Sequence, residues 1–164
     1  RLDLPDEAAT YALASRLALS ARAGDVIGLM GPLGVGKTTF ARAFIAARAA
    51  KAGVEVDDVP SPTFALVQAY DFPGDAGQSP TVVHVDLFRI ENPDATIELG
   101  LEDAFATGIC LIEWPERLGR LLPPSRIELT LAVGASENAR IADLVGFGDG
   151  KKRLKESGYD DRRN

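Results

Sequence analysis

Apolar residues first recur at helical spacing near the start of the chain. Ala9, Leu13 and Leu17, with Ala12 beside them, mark one face of a segment reaching about Ala21. Pro5, Asp6 and Glu7 suit its beginning, because proline fits a first helical turn and carboxylates favour the positive end of the helix dipole. Gly24-Asp25 then turns the chain into residues 26–30, an apolar run of buried-strand length. Beyond the glycine-bearing stretch 31–36, the alanine-rich segment 37–52 repeats Phe40, Phe44 and Ile45 at helical spacing, and Gly53 sits where a helix ends. The order is strand, loop, helix.

Pro60-Ser61-Pro62 excludes regular structure, and residues 64–70 predict a strand that enters the turn Asp71-Phe72-Pro73-Gly74. A polar loop is expected over 74–80, a strand over 81–88 with Asp86 near its end, and an acid-rich helical connection over 93–105. Gly108 breaks that helix before the apolar strand 109–112, which ends at Glu113-Trp114-Pro115. Pro123-Pro124 separates these from two further strands, 126–133 and 140–145. There is no internal repeat. Strands alternating with helices, then a strand pair, predict an α/β sheet that is parallel at its centre, carries antiparallel additions and is flanked by helices.

Composition narrows the function classes. With 164 residues, 46% hydrophobic and 26% charged, the chain fits one soluble globular domain, or one domain with a tail. No uncharged run approaches the ~20 apolar residues of a membrane span. Cys110 is the sole cysteine, so no internal disulfide can form, and the few His and Cys residues cannot supply a tetrahedral zinc site. The chain begins at Arg1 without a leader pattern, so the expectation is a trimmed start, no targeting signal and a cytoplasmic protein. The net charge of −6 is uneven: residues 151–164 hold six basic and three acidic side chains, leaving −9 on the rest. A body so acidic is not expected to grip nucleic acid by itself. The expected organisation is one domain over 1–148, then a basic tail over 149–164. That tail is expected to be solvated and poorly packed, a docking segment or the start of a linker.

Gly31-Pro-Leu-Gly-Val-Gly36-Lys37-Thr38 matches GxxxxGK[ST] in full, between an apolar strand and a helix. The pattern has a mechanism. Glycines let backbone N–H groups wrap a polyphosphate, the helix N-terminus adds positive potential, Lys37 reaches the β- and γ-phosphates, and the Thr38 hydroxyl ligates magnesium. The fold class expected is therefore that of a P-loop NTPase. Asp86 and Glu113 each stand where an apolar strand leaves the sheet, the usual place of ligand sites in α/β folds. Each could equally serve as a cap or in a surface ion pair. Asp71-Phe72-Pro73-Gly74 satisfies the DxxG of GTP-binding switches, but no NKxD motif accompanies it, which favours adenine over guanine. Ser61, Pro62, Thr63 and Phe64 form either a γ-phosphate-sensing loop or a stiff bend. His84 shares a strand face with Asp86 and is either packed or catalytic. Trp114 either stacks on a ligand or closes the core, and Cys110 reads as a buried hydrophobe. Arg89, Arg117, Arg120 and Arg140 are candidate phosphate or base contacts.

Together with the glycine loop, Ser61-Pro-Thr-Phe64, His84-Val-Asp-Leu-Phe-Arg89, Glu98-Leu-Gly-Leu-Glu102 and Ile109-Cys-Leu-Ile-Glu-Trp-Pro-Glu116 resemble the ordered motifs of the TsaE (YjeE) family. The likeness runs from about Leu4 to about Leu144. Pro32 stands where that family usually has aspartate, and Phe88 where it often has tyrosine. The resemblance implies a mixed-sheet ATPase that takes ATP as substrate with Mg2+, works with TsaB and TsaD in threonylcarbamoyladenosine modification of tRNA, and meets tRNA only through that complex. By motif it implies phosphate binding by Gly34, Val35, Gly36, Lys37, Thr38 and Thr39, magnesium on Thr38 and Glu113, and an active-site acid at Asp86. It further implies Glu7 near the base, Ser61 to Phe64 as a switch-like loop, a functional Trp114, and a nucleotide contact from Arg140. A small-molecule kinase and a non-hydrolytic ATP-dependent interaction module are the alternative readings of the same loop.

Overall fold

A computed structural model describes residues 1–74 and 79–159. Strand β1 (Leu2–Leu4) leads into helix α1 (Glu7–Ser20), capped by Asp6, whose carboxylate accepts from the Ala9 N–H at 2.9 Å. β2 (Val26–Met30), α2 (Lys37–Lys51), β3 (Val67–Tyr70) and β4 (Val82–Asp86) follow. A 3-10 helix over Pro93–Leu99 precedes α3 (Leu101–Thr107) and β5 (Ile109–Glu113). A second 3-10 stretch, Pro115–Leu121, leads to β6 (Arg126–Val133), β7 (Arg140–Phe147) and α4 (Asp149–Glu156).

The seven strands form one sheet in the order β1-β7-β6-β2-β5-β4-β3. β6, β2, β5 and β4 run parallel, whereas β1 on β7, β7 on β6 and β3 on β4 are antiparallel. This is the α/β architecture that the pattern predicts. All five residues of β4 and of β5 are buried, as befits central strands covered on both faces. Alternation sorts the side chains. Ile27, Leu29, Val82, Ile109 and Leu111 pack with α1, α2 and Leu154 of α4; Val26, Val83, Val85, Cys110 and Ile112 pack with Leu101 and Leu118 on the opposite face. By the same alternation His84, Asp86 and Glu113 emerge on the α2 side.

Several boundaries differ from the expectation. The strand expected over 64–70 starts at Val67, because Leu66 adopts a left-handed conformation (φ 65°) and its N–H bonds to Pro62 O at 2.6 Å. The strand expected over 81–88 ends at Asp86, whose carboxylate takes the Phe88 N–H at 3.0 Å and bends the chain away. The connection expected as one helix over 93–105 is two, divided at Gly100 (φ 65°). β1 and the Pro115–Leu121 stretch carry too little periodicity to be read from sequence. The polar loop expected over 74–80 lies mainly outside the described residues.

The expectation of a poorly packed tail is corrected up to residue 159. α4 buries Leu154 completely, and Arg153 reaches Asp25 at 2.6 Å across the bottom of the sheet. One apolar side chain in a run of charges anchors the helix, and charge counting overlooks it. Among the described residues, no helix is long and apolar enough to cross a membrane.

Candidate functional site

The loop from Gly31 to Gly36 leaves the carboxyl end of β2 and returns as α2. Gly31 has φ 133°, and a Cβ there would lie 2.4 Å from Leu131 O, so the start of the loop tolerates only glycine. α2 has Gly36 at its N-cap and no side-chain cap. Its first N–H groups are thereby left free for an anion. A cavity of about 260 Å³ opens at this point, lined by Leu33, Gly34, Gly36, Lys37, Thr38, Thr39, Thr63, Asp86, Phe88, Glu113 and Trp114.

Lys37 is buried and curls back on its own loop, donating to Gly31 O at 2.7 Å and Pro32 O at 2.9 Å. Its ammonium lies 4.1 Å from the centre of the Trp114 ring, within cation–π range. Burial pushes the Lys37 pKa down, against the opposing pull of Glu113, Asp86 and Glu116. The result is a desolvated cation without an anionic ligand of its own.

Thr38 Oγ1 donates to Glu113 Oε1 at 2.8 Å, and His84 Nε2 lies 2.8 Å from Glu113 Oε2. Asp86, the register partner of Glu113, accepts instead from Thr63 Oγ1 and the Phe88 N–H, both at 3.0 Å. Ser61 Oγ is 2.7 Å from Thr63 Oγ1, which ties the proline-flanked loop to the acid. Pro62 is buried, while Phe64 is 81% exposed and lies under Arg89. The four residues of that loop therefore divide: Thr63 lines the cavity with Ser61 bonded behind it, Pro62 is buried, and Phe64 turns away.

The donor set can be tested against magnesium on its chemistry. A hydroxyl and a carboxylate already in contact offer hard oxygen ligands, and no three His, Cys, Asp or Glu side chains converge among the described residues. That suits an ion that keeps several waters and shares its coordination with phosphate oxygens. The residues fit the ion.

Trp114 occupies the left-handed region (φ 60°), an uncommon conformation for a bulky residue and the kind of strain found at functional sites. Its ring sits between Lys37 and Phe88, the latter 5.3 Å away. Glu7 and Arg140 do not line this cavity. They border an adjoining one of about 90 Å³ together with Val35, Gly36 and Thr39. Arg140 Nε donates to Val35 O at 2.6 Å and so braces the loop from outside. Arg89, Arg117 and Arg120 are engaged with Phe64, Ile90 O and Asp94 and line neither cavity. Asp71 accepts from the Thr81 hydroxyl and likewise lies outside the lining. His84 is signalled in the sequence by its two-residue spacing from Asp86, and Phe88 only by its place in the His84-to-Arg89 motif, neither of which indicates a place at this site.

The family model described as threonylcarbamoyl adenosine biosynthesis protein TsaE matches residues 4–141. The chain belongs to the TsaE family. Its similarity to curated TsaE-family members is extensive: it is 38% identical over 144 residues to the tRNA threonylcarbamoyladenosine biosynthesis protein TsaE of Rickettsia felis, covering 88% of this chain and 78% of that one. The TsaE of Bacillus subtilis is 35% identical over 138 residues, covering 84% and 78%. The crystal structure of Bacillus subtilis YdiB superposes with a TM-score of 0.75 at 26% identity, covering 96% of this chain and 92% of that one. As a TsaE-family member the chain is assigned to tRNA threonylcarbamoyladenosine biosynthesis, with a P-loop-type fold.

Proposed function

We propose that the chain binds Mg-ATP at the cavity beside α2 and hydrolyses it to ADP and phosphate, in complex with TsaB and TsaD during threonylcarbamoyladenosine modification of tRNA. The observation that carries this reading is the convergence of Lys37, Thr38, Asp86 and Glu113 on one cavity from α2, β4 and β5. Gly34, Val35, Gly36 and Thr39 wrap the phosphates with backbone N–H groups, and Lys37 leaves the carbonyls of Gly31 and Pro32 to meet the β- and γ-phosphates. Thr38 and Glu113 hold magnesium, which when bound neutralises charge developing on the phosphates. Water adds to the γ-phosphorus as ADP leaves, and Asp86, fixed by Thr63 and the Phe88 N–H, orients that water. Ser61, Pro62, Thr63 and Phe64 form the switch-like loop that carries the presence of the γ-phosphate outward. Glu7 and Arg140 border the nucleotide from the adjoining cavity, and Trp114 covers Lys37 until phosphate arrives. Such a protein works in the cytoplasm and meets tRNA only through its partners, consistent with the charge of −9 on residues 1–150.

The test is ATP turnover with TsaB and TsaD present. Lys37→Ala should lower it about 100-fold or more, in line with the loss of a preorganised charge contact. Undiminished turnover by that variant overturns the proposal.

A further inference from the structure

His84 is the chain's only histidine, is fully buried on β4, and is left without a role by phosphate binding itself. Its Nε2 meets Glu113 Oε2 at 2.8 Å, while its buried Nδ1 has no hydrogen-bond partner among the described residues. A carboxylate oxygen accepts and does not donate, so the shared hydrogen belongs to Nε2. Leaving a buried polar atom such as Nδ1 unsatisfied is unfavourable, and an apolar residue of similar size would avoid that cost. The fold keeps the imidazole where only one of its two nitrogens is used.

The nitrogen that is used fixes one specific atom. Glu113 has two oxygens, and Thr38 Oγ1 sits 2.8 Å from Oε1 and 3.0 Å from Oε2. The threonine alone therefore leaves the carboxylate free to rotate about its last torsion, which is broad for glutamate. The bond from His84 to Oε2 removes that freedom and directs Oε1 at the Thr38 hydroxyl. His84 rises from the neighbouring strand, where its own Cα is paired with Leu111 and so is fixed by the sheet ladder.

Resting on the Mg-ATP reading above, we infer that His84 is a positioning residue: its Nε2–H locks the Glu113 carboxylate in the orientation in which Glu113 and Thr38 together receive the nucleotide-bound magnesium. The pairing follows the general logic of partners that orient metal-ligating groups, here with the histidine outside the ligand set and the carboxylate within it. A histidine that merely filled space would contribute equally to metal-free and metal-bound nucleotide. A positioning histidine contributes only when magnesium is present.

The experiment measures ADP affinity with and without Mg2+ by fluorescence of Trp114, the single tryptophan, for wild type, His84→Leu and His84→Gln. For His84→Leu the gain in affinity on adding Mg2+ should fall about tenfold, with metal-free ADP affinity within twofold of wild type. His84→Gln restores an N–H donor and should recover most of the gain. An undiminished magnesium gain in His84→Leu overturns the inference, as does a metal-free affinity that falls in step with the metal-bound one. Should both variants fold poorly, the wild-type protein decides the matter by nitrogen-15 spectroscopy of its single imidazole. Hydrogen on Nε2 supports the inference, and an Nε2 without hydrogen overturns it. A wild type that binds no ADP at all overturns the Mg-ATP reading and this inference with it, an outcome distinct from the loss of the magnesium gain alone.

Discussion

Asp86 and Glu113 are register partners on adjacent parallel strands, both are buried, and both emerge on the α2 side of the sheet. Strands in such a pair lie about 4.8 Å apart, so the two carboxylates share one wall of the cavity and repel each other. The fold manages this by giving each acid separate donors: Thr63 and the Phe88 N–H for Asp86, Thr38 and His84 for Glu113. Replacing Asp86 by Asn keeps an oxygen for the Phe88 N–H and removes one of two like charges. The melting temperature of Asp86→Asn should therefore stay within about 4 °C of wild type, the shift that ~1 kcal/mol produces at this size. ATP turnover with TsaB and TsaD should fall about 100-fold. Calorimetry and a phosphate-release assay on the same preparation check both halves.

The glycines of the loop are unequal. A Cβ on Gly31 would sit 2.4 Å from Leu131 O, whereas one on Gly34 would meet nothing within 4 Å, although Gly34 also has positive φ (78°). Gly34→Ala should therefore cost only the conformational penalty of about 1–2 kcal/mol. Gly31→Ala forces β2 and β6 apart at the mouth of the site and should cost more than Gly34→Ala in urea unfolding. Equal midpoints for the two variants would contradict the close approach at Leu131.

Lys37 gives the binding reaction a pH dependence of definite sign. Burial holds its pKa in the free protein below the ordinary 10.5. A polyphosphate beside the ammonium raises that pKa again, so between the two values the complex holds more protons than the free protein. Affinity for ADP should be flat at pH values below the lowered pKa and should weaken as pH rises through it toward 10.5. Titration calorimetry across pH 7 to 10 should show this weakening in wild type and not in Lys37→Arg, whose charge persists throughout. A wild-type slope of opposite sign would place the lysine away from the phosphates.

Much of this architecture is legible in the chain itself, for physical reasons. The parallel centre is readable because β4 and β5 are buried on both faces, so β5 is apolar from Ile109 to Ile112 and β4 is valine at 82, 83 and 85, with polar residues only at His84 and where the strands emerge at Asp86 and Glu113. The glycine loop is readable because backbone wrapping and close approach leave no substitute for glycine at positions such as Gly31. Local pattern does not encode the direct bond between Thr38 and Glu113 across 75 positions of sequence, because it depends on strand order; only the motif resemblance brings the two together, as magnesium ligands. The same is true of the bond from His84 to Glu113. Spacing placed His84 on the face of Asp86, but the neighbouring strand supplies its actual partner. Glu7 and Arg140 join one small cavity only because β1 pairs with β7, an edge contact made by a three-residue strand.

Cys110 provides a test of the core that is independent of function. It is fully buried in β5, and burial pushes its thiol up to about 12. Since the thiolate is the reactive form, a disulfide exchange reagent at pH 8 should modify native protein only at the rate of unfolding. Denaturant should release one thiol per chain at once. Fast labelling of the native protein would show that β5 opens locally.

α4 joins the core on the other face of the sheet from Cys110, and its contribution can be separated into packing and charge. Leu154 is completely buried against the α1 and α2 side, while Arg153 is held by Asp25 and also reaches Glu156. Arg22 adds a longer contact to Glu156 at 3.5 Å, with most of its side chain exposed. Exposed ion pairs contribute about 0–1 kcal/mol, whereas deleting a buried leucine side chain costs about 2–5 kcal/mol. Leu154→Ala should therefore destabilise the protein by at least 2 kcal/mol in urea unfolding, and Arg22→Ala by well under 1 kcal/mol. High salt should narrow the effect of Arg22→Ala and leave that of Leu154→Ala unchanged, because screening acts on exposed charge and not on apolar burial. If Leu154→Ala unfolds like wild type, α4 is an ornament on the sheet; if it unfolds early, the basic segment is part of the core that holds β2 and its glycine loop in place.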